Sequence, residues 1–239
     1  MTKPRMAAQA GRLDAALALL QRDARPGQLA GMARFGLTGD GRLGLSVPAM
    51  RSIARTLGRD HALAQALWDT AIPDACIVAA FVAEPARFTR RQMDAWARDF
   101  MAWDVCDQVC NNAFRPSPLA WSRVPVWARR KQTFVRRAAF ALLAALAAHD
   151  SQAGDAQFIA ALAWVEAAAS DDRNYVKKAV SWALRGIGKR NANLCAHAVA
   201  TALRIQRQGP RSARWIASDA LRELRRDAVR ERLARHCGT

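Results

Sequence analysis

The chain has 239 residues, 51% of them hydrophobic, with a single Tyr. That is enough for one large domain or two small ones around a substantial core, and the dominance of Ala, Leu and Arg over Val, Ile and Thr favours helix over strand. Lys and Arg number 37 against 20 Asp and Glu, a formal charge of +17. A field of that sign attracts polyanions and makes nucleic acid the default partner. A GC-rich genome explains Arg written in place of Lys, but not the imbalance of sign.

Five cysteines are an odd number, and Met1-Thr2-Lys3-Pro4-Arg5 is followed by no apolar segment of the secretory kind. The longest apolar run, Ala138 to Ala148, is too short and too Ala-rich to span a bilayer. The expectation is a cytoplasmic protein with reduced thiols and no membrane partner.

Residues 1–11 read as a flexible arm ahead of a single domain over 12–239. Leu13, Ala16, Leu17 and Leu20 recur at helical spacing and predict a first helix over 12–22. A short helix over 26–35 ends in Met32-Ala33-Arg34-Phe35, and Gly36, Gly39, Gly41 and Gly44 then mark a loop. Ser46 and Pro48 open the next helix as cap and first-turn residue, with Val47, Met50, Ile53, Ala54 and Leu57 as its apolar face. Short helices are predicted over 60–69, 73–83, 89–101 and 104–114, with Thr89 as a cap. After the connection Arg115-Pro116-Ser117-Pro118, Pro125 limits the helix around it. Longer helices follow over 131–148, 155–169, 172–189, 191–207 and 210–225, with a last turn or two at 226–236. No segment alternates like a strand. Helices that cannot bury a face alone, joined by short connections, predict helix pairs stacked into a solenoid. There is no clean repeat, so the units are degenerate; a compact all-α bundle is the alternative.

In Trp103-Asp104-Val105-Cys106-Asp107, Trp103 and Asp107 are four apart and share a helical face. Read backward at that spacing, Trp96, Phe100, Trp103 and Asp107 form an apolar stripe that ends in a carboxylate. An acid beside an indole suits a cation, since one supplies charge and the other a negative π-face. The plainer reading has Asp104 capping a helix and Asp107 pairing with an arginine.

In the helix from Asp172, Val176, Val180, Ala183 and Ile187 make a core stripe. Lys178, Trp182, Arg185 and Lys189 follow the same steps displaced by two residues, about 200° around the axis, so this stripe is expected to point away from the core. Cations hold phosphate while a ring packs on sugar or base; alternatively Trp182 packs under a neighbouring helix or a terminal arm. Arg129, Arg130, Lys131, Arg136 and Arg137 cluster at one helix start. Lys177, Lys189 and Arg190 bracket another helix, and Arg204, Arg207, Arg211, Arg214, Arg222, Arg225 and Arg226 continue the series. In a solenoid such turns line one concave face, here a basic one.

Other chemistry finds little support. Cys106 and Cys110, and Cys195 with His197, match no paired metal framework, and His61, His149 and His236 are scattered, so no metal is expected. There is no P-loop, dinucleotide turn or nucleophile elbow.

Several stretches converge on one family. Met32-Ala33-Arg34-Phe35, Gly44-Leu45-Ser46-Val47-Pro48, Trp103 to Asp107, Arg136-Arg137-Ala138-Ala139 and Val176 to Arg185 occur in the order in which they stand in the AlkD-like DNA alkylation repair glycosylases, which the chain resembles over most of residues 30–190. The resemblance implies an all-α HEAT-like helical-repeat solenoid. It implies excision of N3- and N7-alkylated purines from duplex DNA, without a deep base-flipping pocket and with no cofactor. It places the catalytic aspartate at Asp107, lesion-side tryptophans at Trp103 and Trp182, and a groove arginine at Arg137. Phe35, Arg136, Lys178, Arg185, Lys189 and Arg190 are then the expected DNA-binding residues. Phe35 stands where the family commonly has tyrosine, so a hydroxyl contact is lost. The segment after about 195 looks like a subgroup feature without an assigned role.

The chemistry of the residues is compatible with this. An N-alkylated purine is already a good leaving group, and a preorganised carboxylate stabilises the oxocarbenium-like sugar and orients water. The sequence thus reads as a monomeric, monofunctional alkylpurine glycosylase. A non-catalytic binder of bent or branched DNA, and a protein-interaction solenoid with an acidic partner, are the alternatives.

Overall fold

A computed structural model describes residues 3–235. Among these residues the regular structure is entirely helical. None of the helices is long and apolar enough to cross a membrane. The chain divides into two compact units, Met1–Leu119 and Ala120–Thr239, at the end of the Pro116–Pro118 connection.

The first unit begins with α1 (Lys3–Arg22). Most of the stretch expected as an arm therefore continues the first helix, while Met1 and Thr2 lie outside the described residues. Pro4 stands in the first turn, where its missing N–H costs nothing, and the Ala-rich sequence favours the extension despite Gly11; tertiary bonds hold it. Gln9 donates to the Ala62 carbonyl and Arg12 to that of Leu57, and Arg12 also pairs with Asp60 at 2.8 Å. The segment predicted as one helix over 26–35 is a 3-10 turn at Pro26–Gln28 followed by α2 (Leu29–Ala33). Then come α3 (Val47–Leu57), α4 (His61–Asp69), α5 (Pro73–Val82), α6 (Arg90–Asp99) and α7 (Trp103–Val109). Ser46 and Thr89 cap α3 and α6 as expected. Helix α5 is buried on all sides, which suits a central helix. Beside it Trp68 stacks on Trp96, with centroids 4.2 Å apart, and Phe88, Phe100 and Phe114 close an aromatic cluster.

The second unit holds α8 (Ala120–Ala128), α9 (Thr133–His149), α10 (Asp155–Ala168), α11 (Asn174–Gly188), α12 (Ala192–Gln206), α13 (Arg211–Leu224) and α14 (Asp227–Arg235). His236 and the end of the helix expected over 226–236 lie outside the described residues. Helix α11 packs on α9 and α13. Glycine makes the second approach possible: a methyl at Gly188 would lie 2.8 Å from both Leu224 methyls and 3.0 Å from Ala198 Cβ.

Candidate functional site

The apolar stripe expected through Trp96, Phe100, Trp103 and Asp107 is interrupted. Helix α6 ends at Asp99, Phe100 is extended, and Ala102 is the extended residue before α7. Trp96 and Phe100 are buried in the aromatic cluster, and Asp99 accepts the Trp68 indole N–H at 3.0 Å. The cluster pulls the chain out of helix, and α7 starts afresh with Trp103 and Asp107 one turn apart, both half-buried. Directly after Val109 the helix widens into a π turn over Cys110–Phe114, with the Arg115 N–H donating to the Cys110 carbonyl at 2.9 Å. Such turns are frequent at functional sites.

The start of α7 is fixed from the Gly-rich loop. Asp104 does not cap the helix; it accepts two bonds from the Arg42 guanidinium, at 2.8 and 3.1 Å, in a pair only 4% and 14% exposed. The loop is itself tied down by Asp74, fully buried in the first turn of α5, which accepts the Leu43 and Leu45 N–H groups at 2.9 Å each. Gly44 is required here: its φ is +81°, and a methyl would collide with the Arg25 carbonyl. At the other end of the loop the Phe35 carbonyl accepts the Trp103 indole N–H at 2.9 Å. The structure thus brings Phe35 and Trp103 together through the main chain, and the Phe35 ring is 74% exposed.

In the second unit Arg137 is buried in α9 and donates to the Tyr175 carbonyl at 2.8 Å. Arg136 pairs with Asp171 at 3.1 Å, and Arg173 bonds the same carboxylate. Burial alone would raise Asp171, but the Arg173 hydrogen bonds and the charges of both arginines hold its carboxyl below the usual range. Half-buried Trp182 lines an open cavity of about 500 Å³ together with Gly186, Lys189, Arg190 and Arg232.

The outward stripe of α11 differs from expectation. Lys178 is exposed, but Arg185 and Lys189 are turned to α13, where both bind Glu223, Lys189 at 2.6 Å; Arg185 also reaches Asp219 at 3.3 Å. Burial pushes the Glu223 carboxyl up, and the bonds and charges of Lys189 and Arg185 more than reverse it, leaving it below its ordinary value. Arg190 lies over the Phe158 ring at 4.1 Å and donates to the carbonyls of Ala147 and Asp150 at 2.7 and 2.8 Å, closing the end of α9. Burial pulls its guanidinium below the usual value, against the charges of Asp150 and Asp155. Three of the cations expected to meet DNA are therefore engaged by neighbouring helices. A stripe within one helix cannot reveal this, because Glu223 stands 38 residues from Arg185.

Sequence reasoning did not single out Arg42, Asp74, Asp219 or Glu223, which set these positions. Asp74 in the first turn after Pro73 was the one visible hint, an acid placed to bind backbone N–H groups.

Paired helices of this kind define a HEAT-like repeat protein. A solved structure described as "a new family of proteins related to the HEAT-like repeat DNA glycosylases with affinity for branched DNA structures" shares the fold, with a TM-score of 0.73 at 17% identity, over 88% of this chain and 94% of that one. The sequence model of the DNA alkylation repair enzyme family matches residues 16–224, and the chain belongs to that family. The match takes in α12 and α13, the larger part of the segment that the sequence left without a role, and stops short of α14. No curated protein sequence matches.

Proposed function

We propose that the protein is a monofunctional glycosylase that releases N3- and N7-alkylated purines from duplex DNA, with Asp107 as its catalytic residue. The observation that carries the reading is the placement of Asp107 one turn after an indole fixed by a main-chain carbonyl, in a chain of the DNA alkylation repair enzyme family. Alkylation at N3 or N7 makes the purine cationic. When the N-glycosidic bond breaks, its electron pair goes to the base, which leaves neutral, and positive charge moves to the deoxyribose. The Asp107 carboxylate stabilises that charge and accepts the proton of the water that bonds to C1′. The Trp103 ring adds a negative π-face. From the second unit Trp182 contacts the DNA, and Lys178 holds phosphate. Arg136, Arg137, Arg185, Lys189 and Arg190 act through their field rather than by direct grip, because each is tied to a carboxylate or carbonyl of a neighbouring segment.

The test is base release from methylated duplex DNA by wild type and Asp107→Asn side by side, with binding measured on the same DNA. Asp107→Asn is expected to bind comparably and to excise about 10²- to 10³-fold more slowly. No release by a wild type that binds this DNA tightly would end the reading. A second reading, non-catalytic binding of branched DNA, draws on the description of the solved structure with the same fold. Junction DNA bound more tightly than linear duplex, without base release, would establish it instead.

A further inference from the structure

Helix α13 repeats the residue pattern of one face of α11. On α11, Lys178, Trp182, Arg185 and Lys189 stand at steps of four, three and four; thirty-three residues later Arg211, Trp215, Ser218 and Arg222 stand at the same steps. The core faces recur with them, Val180, Ala183 and Ile187 matching Ala213, Ile216 and Ala220, all fully buried. Two differences matter. Ser218 replaces a cation, and Trp215, 39% exposed, is more open to solvent than Trp182.

The surroundings of Trp215 are positive. Lys177 Nζ lies 4.9 Å from its ring centroid. Neither Lys177 nor Arg211 belongs to an ion pair among the described residues. Arg222 binds one oxygen of Asp219, whose other oxygen takes the Ser181 hydroxyl at 2.7 Å and Arg185 at 3.3 Å. One carboxylate is thus shared between two arginines, and positive charge remains in excess around an open indole. Lone exposed hydrophobic side chains need no explanation. An indole flanked along its helix by cations, over about 16 Å from Arg211 to Arg222, matches a strand whose bases are free to stack while its phosphates are held. Bases in duplex DNA are already stacked and offer no free face.

We propose that the Arg211–Trp215–Arg222 row, with Lys177, binds an unpaired DNA strand next to the duplex. The proposal rests on the DNA-binding reading above. The test measures the affinity of the full-length protein for a blunt duplex, for the same duplex with a single-stranded tail, and for the tail alone. Wild type is expected to prefer the tailed duplex. Trp215→Ala should weaken binding of the tail and of the tailed duplex by about 5- to 150-fold, with blunt-duplex affinity and base release unchanged. Trp215→Phe should restore most of the loss, and Arg211→Gln should flatten the salt dependence of tail binding by about 0.7 in log–log slope. Equal weakening on all three DNAs would overturn the proposal. So would a wild-type dimer that Trp215→Ala dissociates, since the row would then join copies of the chain. A blunt duplex bound with no gain from the tail defeats this proposal alone; failure to bind any DNA defeats the DNA reading as well.

Discussion

The two units place their polar residues by different means. In the first, the helices after α1 are short and alternate with irregular chain, and the anchors are main-chain groups and buried acids. Asp74 holds loop N–H groups, Asp104 holds Arg42, and the Phe35 carbonyl holds the Trp103 indole. In the second, longer helices lie side by side and lateral ion pairs lock them, Arg136 with Asp171 and Arg185 and Lys189 with Glu223. The lesson concerns charge. A basic chain does not present all of its cations to a polyanion, because lateral packing of helices consumes many of them. The cations left open, such as Lys178 and Arg211, are identified only when each carboxylate has been matched to its partners.

Substitutions in the two units sharpen this contrast. The largest effect belongs to the buried pair of the first unit: Asp104→Asn strands the Arg42 charge and should lower unfolding free energy by about 3–5 kcal/mol, read by denaturant titration. If the loss is under about 1 kcal/mol, within the range of exposed pairs, then the pair does not fix the start of α7. Next comes Asp107→Asn, where the slowing of base release corresponds to about 2.7–4 kcal/mol of transition-state stabilisation. Glu223→Gln in the second unit should cost about 1 kcal/mol, as a partly exposed network does. Its pH dependence has a definite sign. The folded carboxyl titrates below its ordinary value, so the stabilisation is complete above that value and fades as pH falls through the lowered one. The melting-temperature gap between wild type and Glu223→Gln should therefore close as pH drops from 7 to below about 4. The smallest effect is expected at Phe35→Ala, within about 0.5 kcal/mol in stability, with the Trp103 hydrogen bond intact by indole N–H exchange.

Much of the helical framework is legible in the sequence, because caps and apolar periodicity are local signals. Ser46 and Thr89 mark true helix starts, and Val176, Val180, Ala183 and Ile187 are all fully buried. The break at Phe100–Ala102 is not legible, since nothing in Phe100-Met101-Ala102 forbids helix; the aromatic cluster and the Trp68–Asp99 bond impose it from outside the segment. The pairing of Trp103 with Asp107 is visible as a spacing of four. What holds Trp103 is not, because Phe35 lies 68 residues away and contributes a carbonyl, a group every residue carries. Cations on α11 could be counted but not sorted, for the same reason of distance.

That Trp103 leans on a backbone oxygen separates two properties usually bound together at one position. The identity of residue 35 can drift, or be exchanged for a reporter such as a cysteine-linked fluorophore, while the indole keeps its anchor. Position 35 is thus a place where an observer can be attached to the protein without unfastening the indole beside it.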